Sequence, residues 1–168
     1  MRKYLLIIGM IVLVLGAKSI WTSSSRPVMA TTQTAEIYFV DKDMLRLLPT
    51  TVSIKNCKSS EKAAKAVVSE LLKGRDSNPK ILRTIPNIKN GITVKVENDT
   101  AYVNLSKKFV QQHSDLANQE ILTVYSIVNS LSSVEGITKV KFTIDGKTQP
   151  HFKGHIDMRE TFVPDYTI

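Results

Sequence analysis

The stretch from Ser114 to Lys147 constrains the fold most, because it carries a long helical pattern followed by an alternating strand pattern. Its apolar residues recur at spacings of three and four, which places them on one stripe of a helix. Ser114 is positioned to cap this helix, and Glu120 brings negative charge to its first turn, where the helix dipole favours an acid. The stripe consists of Ala117, Ile121, Val124, Val128 and Leu131.

The strand pattern follows Gly136, which lies just past the predicted end of the helix. Apolar and polar residues alternate from Lys139 to Ile144, so neighbouring side chains point to opposite faces of a sheet. Asp145-Gly146 then marks a tight turn. Neither element carries a nucleophile, a metal-ligand cluster or a phosphate-binding loop. This region is therefore predicted to pack and to present a surface, not to react.

The first residues have the composition of an export signal. Tyr4–Ala17 carries no charge, and the apolar stretch reaches Trp21 if Lys18 snorkels to the membrane interface. A spanning helix needs roughly 20 apolar residues. We therefore predict a signal or transmembrane segment over residues 1–21, a Ser/Thr-rich tether over 22–34 and a folded domain over 35–168.

Two details of this segment bear on localisation. The domain is expected outside the cytoplasm on a single-pass anchor, and cleavage after Val28-Met29-Ala30 would instead release it as a secreted protein. Leu15-Gly16-Ala17 resembles the approach to a bacterial lipobox. Lys18 stands where the lipid-carrying cysteine would be, so the sequence does not predict a lipoprotein.

Charge and cysteine content exclude several classes of function. The net charge is +8, but four unopposed basic groups lie in the first 34 residues, and the remainder holds 19 basic residues against 15 acidic ones. No basic run interleaves with aromatic residues, so nucleic-acid binding is not predicted. Cys57 is the single cysteine, which rules out an internal disulfide and supplies no metal-ligand set.

The remaining patterns predict an α+β fold in the order ββαββαβ. Helices alternate with strand pairs, which favours a two-layer sandwich with two helices on one face of a mostly antiparallel sheet. The segment from Lys107 to Gln112 is predicted to form a short helical turn. The other sheet face is polar and would meet water or a partner. That face carries Thr93, Lys95, Glu97, Tyr102, Asn104, Lys139, Lys141 and Thr143.

Seven pieces of the chain follow one another in a characteristic order between Ala35 and Phe162. The pieces are EIYFVDKD, AAKAVVSELLKG, Ile85-Pro86, VKVENDTAYVNLSKKF, QEILTVYSIVNSL, VKFTIDGK and GHIDM. In this order they resemble the GerMN domain of bacterial sporulation and germination proteins.

The resemblance implies an α+β fold of the ring-building-motif type, attached to a membrane and facing away from the cytoplasm. It also implies a role in spore formation or germination. The best-known relatives are thought to help assemble the channel between mother cell and forespore. Family members are often lipoproteins with two such domains in tandem, whereas this sequence shows one domain and no lipobox cysteine.

Chemical sites find little support in the sequence. His151 and His155 have a zinc-binding spacing, with Asp157 as a third candidate ligand, but Gly154 between them argues against a helix. A structured loop whose side chains bond backbone groups is the simpler interpretation. No serine has a nucleophile context, and no pair of acids is placed for glycoside hydrolysis. We predict no enzymatic activity, no cofactor and no metal.

We therefore hypothesise that the protein is a membrane-tethered module outside the cytoplasm that serves in assembly or as a scaffold. It would bind protein partners or further copies of itself, and repeating one such contact around an axis could close a ring. Two alternatives remain open. One is a module that binds cell-wall peptidoglycan or a small ligand, and the other is a wall-modifying enzyme. The predicted interaction surface comprises Thr93, Lys95, Tyr102, Asn118, Gln119, Ser126, Asn129, Lys139 and Lys141.

Overall fold

The structure is a computed structural model that describes residues 32–55, 57–75 and 77–168. The predicted signal or transmembrane segment and most of the predicted tether lie outside the described residues. The first strand begins at Thr32, three residues before the predicted start of the domain. In the part of the chain that the structure describes, no helix is both long and apolar enough to cross a membrane.

The described residues form a mixed α+β fold with seven strands and three helices. In chain order the elements are β1 (Thr32–Asp41), β2 (Leu47–Lys55), α1 (Ser60–Lys73), β3 (Ile81–Leu82), β4 (Ile92–Glu97), β5 (Thr100–Leu105), α2 (Lys107–Gln112), α3 (Ala117–Ser132), β6 (Lys139–Ile144) and β7 (Thr161–Phe162).

Helix α1 begins and ends at residues typical of helix termini. Ser59 is the N-cap, and its hydroxyl accepts a hydrogen bond from the backbone N–H of Lys62. Gly74 ends the helix at a φ of 66°, a left-handed conformation that favours glycine. The apolar face of the helix packs against β4 and β1. Its buried residues are Ala63, Ala64, Val67, Val68 and Leu71.

The strands form two sheets, where the sequence predicted one. The first sheet has the order β2-β1-β3, and the second has the order β4-β5-β6-β7. Strand β6 pairs with β5 in parallel, because α3 lies between them in the chain and acts as a crossover connection. The other strand pairs are antiparallel. The prediction of a single sheet was therefore wrong, and the predicted order ββαββαβ omitted the two short strands β3 and β7.

Helix α3 is much more deeply buried than its sequence pattern predicted. It packs against β1, β6 and α1, so several sides of the helix are covered at once. The helix starts at Ala117 and has no side-chain cap, and Ser114 instead accepts a hydrogen bond from the N–H of Leu116. Ala117 and Ile121, which were predicted to be buried, lie at the surface. The core continues into the C-terminal region through Phe152 and Met158.

Candidate functional site

The outer face of the second sheet is the candidate functional site. Lys95, Tyr102 and Lys141 lie side by side on β4, β5 and β6, in register across the three strands. Their neighbours along each strand point to the opposite face and are buried, among them Val103 and Phe142. This alternation fixes the polar side chains on the outer face, because the register cannot slip without exposing the core.

Tyr102 is the aromatic residue at the centre of this face, and 41% of it is exposed. Lys95 and Lys141 flank it on the two adjacent strands. Cross-strand neighbours lie about 5 Å apart, so a partner that covers the tyrosine ring also meets both ammonium groups. We refer to the side chains of Thr93, Lys95, Tyr102, Lys139 and Lys141 as the outer face.

The rim of the outer face is fixed by ion pairs and hydrogen bonds. Lys139 lies 3.1 Å from the Asp99 carboxylate. Hydrogen bonds from Thr138, Lys139 and Thr100 lower the pKa of Asp99 to about 2, so this carboxylate stays charged. Asn104 accepts hydrogen bonds from the Thr143 hydroxyl and from the N–H of Gly146, which holds the turn after β6 against β5.

The structure separates the predicted interaction residues into three groups. The five on strands share the outer face. Asn118 and Gln119 lie in the first turns of α3, where the Asn118 amide donates to the carbonyl of Met44. Ser126 and Asn129 are only 1% and 0% exposed, so predicting them at the surface was wrong. The physical reason is that each of these two polar side chains satisfies backbone groups inside the protein.

Two serines on α3 and the serine at its C-cap form hydrogen bonds with the backbone groups along the unpaired edge of β1. Ser130 accepts a hydrogen bond from the N–H of Tyr38 at 2.8 Å, and Ser133 accepts one from the N–H of Glu36 at 3.1 Å. The Ser126 hydroxyl donates to the carbonyl of Tyr38. These serines recur at spacings of four and three, so they form one stripe on the helix. The polar face of α3 thus replaces the neighbouring strand that β1 lacks there.

Asn129 holds the C-terminal segment against α3. Its amide nitrogen donates to the carbonyl of Asp165 at 2.7 Å, and its amide oxygen accepts from the N–H of Asp165 at 3.0 Å. The chain end continues to Ile168, whose carbonyl accepts from the N–H of Leu47. We call residues 161–168 the strap. It begins as β7 on the second sheet and ends on the first sheet, so it crosses α3.

Glu120 anchors a second C-terminal segment, and sequence reasoning assigned it only a role at the helix dipole. Its carboxylate is fully buried and accepts hydrogen bonds from the N–H groups of Lys153, His155 and Ile156. The Nδ1 atom of His155 lies 2.7 Å from the other carboxylate oxygen. Burial raises the pKa of Glu120, but the hydrogen bonds outweigh burial and lower it overall.

The loop predicted around His151, His155 and Asp157 is structured. Asp157 accepts from the N–H of Arg159 and pairs with its guanidinium, while His155 bonds the Glu120 carboxylate, a side-chain partner instead of the expected backbone groups. Among the described residues, no three of the His, Cys, Asp and Glu side chains are grouped in a way that could hold a metal ion.

His113 is a buried residue that the sequence pattern did not reveal. Its Nδ1 lies 2.8 Å from the carbonyl of Ser114 and must donate, so Nε2 accepts from the Thr123 hydroxyl at 2.9 Å. Burial lowers the pKa of His113 and keeps the ring neutral. This hydroxyl–imidazole pair resembles a nucleophile and its base. Both residues are buried, and their hydrogen bond ties the residue that ends α2 to the interior of α3.

The amino-acid sequence matches a family model described as "Germane: Sporulation and spore germination" over residues 36–150. The chain belongs to the Germane family. The matched residues include all three helices and the whole outer face. They end before the loop that Glu120 anchors and before the strap, so these two segments lie beyond the family match. No match was found among curated proteins.

Solved structures with a fold similar to that of this chain include the following three. A protein from Clostridium perfringens, provisionally classed as a lipoprotein, is 18% identical with a TM-score of 0.56; the match covers 80% of this chain and 87% of that one. The first GerMN domain of the Bacillus subtilis sporulation protein GerM is 19% identical with a TM-score of 0.54, covering 81% and 99%. The tandem GerMN domains of GerM give 22% identity, a TM-score of 0.55, and coverages of 77% and 46%.

Proposed function

We propose that this Germane protein is a non-enzymatic assembly module of sporulation or germination, tethered to the membrane by its N-terminal segment and facing away from the cytoplasm. It binds a protein partner through the outer face. In the most specific case, copies of the module join one another through a single repeated contact. This contact closes a ring at the interface of mother cell and forespore.

The observation that carries this proposal is the outer face itself. Its centre is an exposed tyrosine between two lysines, and tyrosine is among the residues enriched at protein interfaces. The strands that carry it are fixed by a buried core, so the face is ordered before any partner arrives. A preorganised surface loses little conformational entropy on binding. The family match supports the sporulation context.

Site-specific photo-crosslinking in sporulating cells tests the proposal. A photoreactive phenylalanine analogue replaces Tyr102 in one strain and Lys62 in another. Lys62 is also exposed, but it lies on α1, away from the outer face. We expect discrete protein adducts from position 102 and none from position 62. Equal adducts at both positions, or none at position 102, would overturn the outer face as the interface.

A matched pair of variants then links the contact to function. Tyr102→Ser combined with Lys141→Ser should reduce sporulation or germination toward the level of a deletion strain while the protein remains folded. Thr32→Ser combined with Lys62→Ser, which changes exposed residues elsewhere, should leave both unchanged. Normal sporulation and germination in the outer-face variant would contradict the proposal.

Binding to cell-wall glycan is a second candidate, because Tyr102 also offers a flat ring on which a sugar could stack. Sedimentation with purified peptidoglycan separates the two candidates. Pelleting that is abolished by Tyr102→Ala would favour the glycan, whereas a soluble protein fraction that is unchanged by peptidoglycan would favour the protein partner.

A further inference from the structure

The outer edge of β2 carries backbone groups that point away from the rest of the protein. Tyr38 on β1 directs its N–H and its carbonyl toward α3, so it forms a non-hydrogen-bonded pair with Pro49 on β2. In such a pair both residues direct their backbone groups outward. The alternation along an antiparallel strand then places the outward groups of β2 at every second residue. They belong to Leu47, Pro49, Thr51, Ser53 and Lys55.

Within residues 32–55, 57–75 and 77–168, bonds to other parts of the chain leave only the second half of this edge open to a partner. The N–H of Leu47 already donates to the carbonyl of Ile168, and Pro49 has no N–H to donate. Thr51, Ser53 and Lys55 are exposed. The carbonyl oxygen of Lys55 accepts a hydrogen bond from the Cys57 thiol, with the sulfur 3.5 Å away, and a thiol is a weak donor. The edge from Thr51 to Lys55 therefore offers three donors and their carbonyls.

The two edges of the first sheet differ in how their outward backbone groups are satisfied. On β1, the outward groups are satisfied by Ser126 and Ser130 of α3 and by Ser133, the C-cap of that helix. Native proteins usually protect edge strands with charges, prolines or bulges. Along β2 the segment from Pro49 to Ile54 contains no charge and one proline at its start. The sequence Thr-Thr-Val-Ser-Ile is rich in β-branched residues, which favour strand pairing.

A groove runs beside this edge between β2 and α1. Its volume is about 280 Å³, and its lining includes Ile54 on the strand and Ala66 on the helix. Val52 is half-buried next to it and packs against the edge of the core. A strand added to β2 would cover these apolar atoms as well as bond the backbone groups, which is the mode of β-strand addition.

We propose that the strand added to β2 is the β2 of a second copy of this chain, antiparallel and centred on Ser53. In this register Ser53 faces Ser53 of the second copy, and Thr51 faces Lys55. The paired segment forms roughly six backbone hydrogen bonds. Pro49 lies beyond the paired residues, so its missing N–H costs nothing.

Charge and packing favour a second copy in this register. Each Lys55 faces an uncharged threonine, so no like charges oppose each other across the two-fold axis. On the α1 side, Val52 of one copy lies next to Ile54 of the other. Ile54 is already buried in a single copy, so the apolar surface that becomes covered is that of the half-buried Val52. The two three-stranded sheets become one continuous sheet. A two-fold contact of this kind is closed and does not propagate into fibres.

This inference deepens the proposed assembly function by naming one partner, and it uses a surface other than the outer face. Each dimer would present two outer faces, so both could be engaged by partners that are themselves held close together. Tyr102→Ser should leave the dimer intact. The loss of one contact can therefore be distinguished from the loss of the other.

The first test is the mass of the full chain in detergent micelles, measured by light scattering over a concentration series. Ser53→Pro removes an outward N–H that β1 does not use, so the β1–β2 pairing remains. We expect the wild type to be dimeric and Ser53→Pro to weaken the dimer at least about tenfold, because the central hydrogen bonds are lost. Ser53→Ala keeps the backbone and should behave as wild type. A monomeric wild type at every concentration would overturn the proposal.

The second test determines which residues of the two β2 strands face each other, and it uses no proline substitution. In a Cys57→Ala background, Ser53→Cys should crosslink to itself with a short bifunctional reagent. A mixture of Thr51→Cys and Lys55→Cys chains should give a mixed crosslink, whereas Thr93→Cys on the outer face should give none. Crosslinking from position 93 but not from position 53 would assign self-association to the outer face and refute the β2 pairing.

Discussion

Glu120 shows how one buried carboxylate can hold a segment that lacks regular structure. Three backbone N–H groups of the loop after Pro150 converge on it, together with the Nδ1 atom of His155. Without an acceptor, these donors would be desolvated and unpaired. The carboxylate therefore accepts the backbone hydrogen bonds that a neighbouring strand would accept if this segment lay in a sheet.

Replacing Glu120 with alanine should lower the free energy of unfolding by about 3 kcal/mol, because the donors that it holds are left without an acceptor. Urea denaturation followed by circular dichroism measures the change. Glu97→Ala removes an exposed acid on the second sheet and serves as the control, with an expected change within about 0.5 kcal/mol. Equal effects of the two substitutions would show that the Glu120 contacts contribute little.

The lowered pKa of His113 makes stability depend on pH near neutrality. The unfolded chain binds a proton at the ordinary histidine pKa of 6.5, whereas the folded chain resists it. Stability from this group is therefore complete above pH 6.5 and is lost as the pH falls toward the lowered pKa. The loss is about 1.4 kcal/mol for each pH unit that separates the two pKa values.

Urea midpoints between about pH 8 and about pH 5 measure this dependence. His113→Asn, which keeps a donor near the position of Nδ1, should flatten the curve over that range. Gln112→Asn, at an exposed residue of α2 that does not titrate, should leave the curve unchanged. Glu120 contributes in a separate window, because its lowered pKa gives stability above its ordinary value of 4.5 that is lost at more acidic pH. An unchanged curve in His113→Asn would contradict the assignment of a neutral ring.

At the scale of elements, α3 is a helix that binds backbone as a strand would. Its serines bond β1, and its Asn129 bonds the strap. A helix with polar residues on one face is usually solvated there. Here the polar face satisfies the edge of a sheet, which explains why the first sheet stops where it does.

Ser130→Ala should lower the free energy of unfolding by about 1–2 kcal/mol, because the N–H of Tyr38 is left without a partner. Ser69→Ala is the matched control, since Ser69 is exposed on α1 and the same change there gives only the helix propensity of alanine. Thermal and urea unfolding of both variants give the comparison. A stabilised Ser130→Ala variant would show that the bond to Tyr38 has no net value.

Asn129→Leu should release the strap without unfolding the domain. The change keeps the branched shape and the number of heavy atoms of the side chain, at a larger volume, but removes both bonds to Asp165. We expect the backbone amide of Asp165 to exchange with solvent about 10- to 100-fold faster, because local opening becomes easier. Amides in β5, at the centre of the second sheet, should exchange as in the wild type. Faster exchange in both regions would mean that Asn129 supports the whole core.

At the scale of the whole molecule, the residues beyond the family match complete the fold. Phe152 and Met158 are 4% and 1% exposed and belong to the main core. The strap then joins the second sheet to the first across α3. The family-matched region by itself therefore lacks part of its own core.

A chain that ends at Pro150 should not fold stably, and it should therefore show no cooperative unfolding transition. Loss of the two buried side chains costs about 2–5 kcal/mol each, which is comparable to the total stability of a typical domain. A chain that ends at Asp165 keeps both side chains and the Asn129 contacts, so it should remain folded. Near-ultraviolet circular dichroism and calorimetry distinguish the two outcomes. Cooperative melting of the shorter chain near the wild-type temperature would contradict this expectation.

The sequence by itself determined the elements whose signals are local. The caps of α1, the hairpin of β4 and β5, the alternation of β6 and the outer face all follow from spacing, because neighbours along the chain decide these features. The resemblance to GerMN domains, carried by seven ordered pieces, correctly identified the family.

Tertiary structure alone decided what the polar side of α3 does. Spacing shows that Ser126, Ser130 and Asn129 share a polar side, but it cannot distinguish water from backbone as their partner. That choice depends on contacts with Tyr38 and Asp165, which lie far away in the chain. The same applies to Glu120, whose donors come from a loop more than 30 residues later. Buried polar residues are predictable only once the backbone groups that need them are known.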